Sequence, residues 1–181
     1  MKKTMLLITV LACALASVAQ KKTTTSGTIN FDATTPIDAL PKAENKTVIA
    51  AVDTKKGTVA FEVVMKNFAF TNPRIQEHFN GPRWLDTEKF PTATFNGNIT
   101  NLSAINFKKD GTYEADVAGD LTIHGVTKPV TTKGTVVVTG KTVTTNAEFD
   151  IKLADYNVDG PQIGAGKIAK EPKITVAAIM Q

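Results

Sequence analysis

"TYEADVAGDLTIH", residues Thr112–His124, alternates apolar and polar side chains along its length. Tyr113, Ala115, Val117, Leu121 and Ile123 fall on one face, and Glu114, Asp116, Asp120 and Thr122 on the other. A period of two sustained this long is a β-strand with one wet face. At about 3.3 Å per residue, a strand of a dozen residues reaches about 40 Å, too long for a flat sandwich and natural for the tilted stave of a barrel. His124 sits where the strand ends, just before Gly125.

The same alternation recurs in "TVTTNAEFDIKL", Thr142–Leu153, where Val143, Thr145, Ala147, Phe149, Ile151 and Leu153 share a face. Further strands are expected near Gly27–Asp32, Thr47–Asp53, Thr58–Phe70, Ala93–Thr100, Thr131–Thr139 and Lys173–Met180. In Thr58–Phe70 the apolar set runs Val59, Phe61, Val63, Met65 and then jumps to Phe68 and Phe70, which predicts a bulge or bend. Turn signals separate the runs: "DTKKG" at Asp53–Gly57, "KKDG" at Lys108–Gly111, "TGK" at Thr139–Lys141 and "DGP" at Asp159–Pro161. One segment breaks the pattern. In "NPRIQEHFNGP", Asn72 can cap a short helix with Pro73 at its first position, Ile75 and Phe79 share a face, and Gly81-Pro82 ends it.

The chain opens "MKKTMLLITVLACALASVAQ", a basic start, an apolar run and small residues, which reads as an export signal cleaved after Ala19. The apolar run is shorter than the roughly 20 residues of a spanning helix. The competing reading is a lipoprotein anchored through Cys13. Either way the protein is expected in the periplasm or outside the cell, as a single domain over residues 20–181. Loss of the leader removes two lysines and no acid, bringing the formal charge from +4 to +2, too mild to favour nucleic acid. The chain's one cysteine, Cys13, leaves with the leader, so the barrel is expected to be stable by burial alone.

Residues for catalysis are sparse. After the leader there are two serines, Ser26 and Ser103, and two histidines, His78 and His124. Neither serine stands in a nucleophile elbow. No HxH, HExxH or cysteine spacing supports a metal site, so neither metal nor cofactor is expected. "GAGKIAK", Gly164–Lys170, lacks the leading glycine and trailing hydroxyl of a phosphate loop and reads as a turn.

"GDLTIHGVTKPV", Gly119–Val130, preceded by "KFPTATF", Lys89–Phe95, and by the helix histidine His78, resembles the YceI-like family of exported proteins. Ile75 and Gln76 stand where typical members carry an Arg-Asp pair, and Leu153 where they carry an arginine before Asp155-Tyr156. The resemblance implies an all-β, lipocalin-like antiparallel barrel of about eight strands with a short helix near residues 73–80. It also implies a polyisoprenoid, isoprenoid quinone or other long amphiphile held inside without chemistry. Burying hydrocarbon yields about 0.8 kcal/mol per methylene, so an apolar hollow can bind a chain without leaving a polar motif. The expected lining is Phe31, Phe61, Val63, Phe68, Phe70, Phe95, Leu121, Ile123, Phe149 and Ile151, with Phe79 and Trp84 closing one end. Further candidate partners are a membrane surface, for ligand exchange, and a second copy of the chain. The alternatives are an envelope interaction protein with a filled core, and an enzyme with a rim site at His78 and His124.

Overall fold

Alternation in the sequence becomes antiparallel sheet in the structure. The computed structural model describes residues 20–181; the leader and Cys13 lie outside the described residues. The strands are β1 (Lys21–Asp32), β2 (Lys42–Asp53), β3 (Thr58–Val64), β4 (Ala69–Phe70), β5 (Thr92–Ile99), β6 (Gly111–Ile123), β7 (Val126–Thr139), β8 (Thr142–Asp150) and β9 (Lys173–Met180). Two helices join them, α1 (Pro73–Asn80) and the single turn α2 (Pro161–Gly164). Hydrogen-bonded neighbours run β1-β9-β8-β7-β6-β5-β3-β2, and β2 pairs back onto β1. Eight strands thus close on themselves, leaving no free sheet edge at the ends of the strand order. The two-residue β4 adds to the end of β2, against Ala43 and Glu44.

The barrel matches the expected architecture, with differences in extent. The run expected as strand through Leu153 ends at Asp150, and Leu153–Tyr156 form a 3-10 turn. β1 and β2 begin at Lys21 and Lys42, well before the apolar alternation does. Their polar starts are held by pairing with each other's ends, Lys21 opposite Asp53 and Asp32 opposite Lys42. β7 begins at Val126, five residues earlier than its apolar run indicates. Thr58–Phe70 is not one bulged strand: β3 stops at Val64 and Met65–Asn67 form a 3-10 turn. The Met65 N–H donates to the Pro91 carbonyl at 2.9 Å and the Phe68 N–H to the Met65 carbonyl at 3.2 Å. The tighter turn lets both Met65 and Phe68 point into the core.

Helix α1 forms as its capping residues dictate. The Asn72 side chain accepts the Arg74 N–H at 3.0 Å, Pro73 takes the first turn, and the Gly81 N–H returns to the His78 carbonyl. Phe79 is its buried anchor, packed edge-on or tilted against Phe31, Phe68 and Phe70 at centroid distances of 5.8, 5.6 and 4.9 Å. This aromatic group heads one core cluster, with Ile29, Val63, Leu85 and Leu153. A second cluster lies around Val52, Ile99, Val136, Val138, Val143 and Met180. Phe61 packs against both.

Candidate functional site: a cavity between two cores and a slit in the wall

Between the two clusters the barrel is hollow. A cavity of about 170 Å³ lies there, walled almost entirely by carbon. Cross-strand pairing accounts for its middle: Phe61 stands opposite Phe95, and Phe95 opposite Leu121, so three adjacent strands present a belt of large apolar groups. Small residues share the lining with them, Ala93 on β5 itself, Ala115 on β6 and Ala147 on β8. Large and small side chains do not interdigitate to native density here, which leaves the space unfilled.

Gly119 shows why the first motif needs a glycine. It pairs with Gly97, and a Cβ on it would lie 2.5 Å from the Asn96 carbonyl oxygen, 2.5 Å from the Gly97 Cα and 2.7 Å from the Phe95 ring. The Phe95 ring lies over this pair of glycines, occupying the room their side chains would take.

His124 does structural work. It and Gly125 form a two-residue turn with both φ angles positive, +52° and +73°, closed by the pair Ile123–Val126. A Cβ at Gly125 would come within 2.5 Å of Phe90, whose ring stands edge-on to the imidazole at 4.6 Å. The imidazole Nδ1 lies 3.0 Å from the Tyr156 carbonyl, so the Nδ1–H tautomer donates there. The 3-10 turn Leu153–Tyr156 that follows β8 is thereby fastened to the hairpin. Burial, and secondarily the Asp155 carboxylate beside it, push the Tyr156 hydroxyl up, so it stays neutral. His78 is exposed on α1, and Ser26 and Ser103 are also exposed. Among the described residues no group of three His, Cys, Asp or Glu side chains converges as a metal site would require.

The wall has a gap. β7 pairs with β6 along its whole length, from Val126 to Val138, but with β8 only from Gly134 to Thr139. β8 meanwhile keeps its pairing with β9 out to Asp150. Residues 126–133 therefore have no ladder on their β8 side. Pro129 suits the gap. Because Ile123–Val126 closes a two-residue hairpin, alternation turns Lys128 and Val130 towards β6 and turns Pro129 the other way. With no N–H to offer, Pro129 leaves no donor unmet on this edge, and proline in a strand marks such an unpaired edge. The slit is bounded by Gly134 and Ala147 at one end and by the His124–Tyr156 bond at the other. The cavity reaches it: Val130, Thr132, Gly134 and Thr135 line it from β7, and Asn146, Ala147 and Phe149 from β8. Of these, all but exposed Asn146 are half-buried, whereas Ile29, Val59 and Val63 across the cavity are buried.

Eleven of the twelve residues expected to line the interior border this cavity. They are Phe31, Phe61, Val63, Phe68, Phe79, Trp84, Phe95, Leu121, Ile123, Phe149 and Ile151. Phe70 does not: it lies in β4 opposite Ala43 and packs behind Phe79. Sequence reasoning left Ile29, Val130, Thr132, Ile174 and Val176 out of the lining. For Ile174 and Val176 the signal was present, in the period-two run of β9.

Comparison with known proteins agrees with this architecture. The YceI-like domain family matches residues 15–180. Protein YceI of Escherichia coli O157:H7 is 39% identical over 88 residues, 45% of this chain and 42% of that protein. A UPF0312 protein of Pseudomonas putida is 35% identical over 111 residues, 58% of this chain and 53% of that protein. The matched region thus spans about half the length of these curated relatives. Among solved structures, a polyisoprenoid-binding domain from Saccharophagus degradans, implicated in plant cell wall breakdown, superposes with a TM-score of 0.75 at 13% identity, covering 90% of this chain and 98% of that one. Burkholderia cenocepacia BcnA superposes with a TM-score of 0.70 at 21% identity, covering 86% and 96%. With the barrel, the glycine-bearing hairpin and the family match in agreement, this chain belongs to the YceI-like family.

Proposed function

We propose that the protein binds a long apolar chain, of isoprenoid or fatty type, inside its barrel and carries or sequesters it without reacting with it. The observation that supports this most is the carbon-walled cavity held open between two packed ends. Dry apolar space costs stability in proportion to its size, so a core that leaves it unfilled has forgone packing a guest can restore. The polyisoprenoid-binding description of the Saccharophagus degradans domain, which shares the fold, supports the same ligand class.

Size decides how the guest sits. A cavity of about 170 Å³ is close to the size that takes a benzene ring in an engineered core, so a long chain does not fit while the walls stay as they are. Phe61, Phe95, Leu121 and Phe149 face inward yet are only half-buried, so these side chains have room to turn. The guest occupies the hollow by moving them and by leaving through the slit. At about 0.8 kcal/mol per buried methylene, even half of a twenty-carbon chain yields a gross gain on the order of 8 kcal/mol before ordering costs. The export signal read in Met1–Ala19 supports a carrier that works in the cell envelope, as a cleaved or a Cys13-anchored protein. A filled interaction module is disfavoured by the hollow itself.

The test is organic extraction of the purified, undenatured protein followed by mass spectrometry. A stoichiometric isoprenoid or fatty compound is expected. Protein that yields none, and takes up none when offered, overturns the reading.

A further inference from the structure

One cation stands on the wrong side of the wall. In the β6–β7 ladder Ile123 faces Val126, Leu121 faces Lys128 and Gly119 faces Val130. Val126 packs onto the core cluster around Phe79, and Val130 and Leu121 line the cavity. Lys128, between the two valines and opposite Leu121, is therefore on the interior face, and it is exposed. Lysine is tolerated on an apolar face only where its ammonium reaches water or an anion, and beside Lys128 the slit supplies that exit. The ion pairs among the described residues use Lys42, Lys46, Lys66, Lys133 and Lys173, not Lys128. Across the slit, Glu148 is taken by Lys173, and alternation with inward Phe149 puts both Glu148 and Asp150 on the outer face.

The same edge has donors to spare. With residues 128 and 130 turned towards β6, the N–H groups of Thr127, Thr131 and Lys133 point into the slit, where no β8 ladder meets them. An ammonium and a row of backbone donors at the mouth of an apolar hollow fit a ligand with an oxyanion at one end.

We propose that Lys128 and the unpaired edge of β7 hold the anionic head, carboxylate or phosphate, of an amphiphile whose tail lies in the cavity. The inference rests on the apolar-chain reading above and narrows it to acidic amphiphiles. The tail enters sideways through the slit, and the head stays at its lip.

The experiment is titration of delipidated protein with two matched pairs, hexadecanoate against hexadecan-1-ol and farnesyl phosphate against farnesol. Binding is read from the fluorescence of Trp84, the single tryptophan and a cavity residue. At least one anion is expected to bind about tenfold tighter than its alcohol, and which one does so identifies the head group. K128M brings that anion to the affinity of its alcohol, and K128R keeps the preference. Alcohols that bind as well as their anions, or a preference that survives in K128M, overturn the Lys128 site while leaving chain binding intact. If none of the four probes binds, the cavity reading fails with it.

Discussion

His124 donates through Nδ1 to the Tyr156 carbonyl 3.0 Å away, joining the β6–β7 hairpin to the turn after β8 across the stretch where β7 and β8 are unpaired. The bond closes one end of the slit. H124A removes it together with the Phe90 contact, and a loss of about 1–2 kcal/mol is expected in denaturant unfolding. Faster amide exchange at residues 126–133 and 153–157, with the rest of the barrel unchanged, is the local signature. Exchange that rises uniformly argues against a clasp.

Gly119 tolerates no side chain. The closest atoms to its missing Cβ include two of backbone, Asn96 O and Gly97 Cα, which cannot rotate away as a side chain would. G119A is expected to cost about 1–3 kcal/mol. Adding F95L should recover little of that loss, as thermal melts of the single and double variants will show.

Thr145 carries the one buried side-chain hydroxyl without a hydrogen-bond partner among the described residues, and it lines the cavity. T145V exchanges that hydroxyl for a methyl of similar size. Relief of the unmet hydrogen bond should stabilise the ligand-free protein by about 1 kcal/mol. A destabilised T145V would mean that the hydroxyl is satisfied in solution.

Ala147 sits on the last rung before the slit, opposite Gly134. A147F fills the hollow and its mouth together, and apolar chains should bind about tenfold more weakly or worse. F149A, which widens the same place, should keep or improve uptake at some cost in stability. Competition against a fluorescent fatty probe compares the two.

Asp53 organises the β2–β3 turn. Its carboxylate accepts the N–H of Lys56 at 2.8 Å and of Lys55 at 2.9 Å; the Lys56 bond is the main cause that holds its pKa below the usual carboxylate value. A depressed folded pKa adds stability above the unfolded value of about 3.9, and that stability is lost as pH falls through the folded value. D53A is therefore expected to melt below the wild type near pH 7, with the gap closing as pH falls below the ordinary carboxylate value. A gap independent of pH would assign the loss to packing.

Much of this molecule is legible in its residues. Strict alternation in Thr112–His124 and Thr142–Leu153 is enough for the long staves, although the second stops short of its apolar run, and Asn72, Pro73 and Gly81 delimit α1, because these signals are local. The starts of β1 and β2 are not legible. "KKTTTS" and "KAENK" have no apolar period, and only pairing with a partner far along the chain makes them strand. Phe70 was misplaced because it shares the parity of Phe68, whereas β4 runs along the end of β2 and sets Phe70 behind Phe79. The slit had a signal in plain view, Pro129 in the middle of β7, whose meaning depends on which neighbour its nitrogen faces.

Among the described residues, Phe61 is the one hydrophobic side chain that packs against both core clusters. An empty barrel is thus two anchored ends whose side chains meet at a thin waist, coupled there chiefly by the backbone ladders. A hydrocarbon guest laid along the waist would weld them into a single cooperative unit. The cargo then becomes a structural member of its carrier, and release of the cargo loosens the vessel that held it.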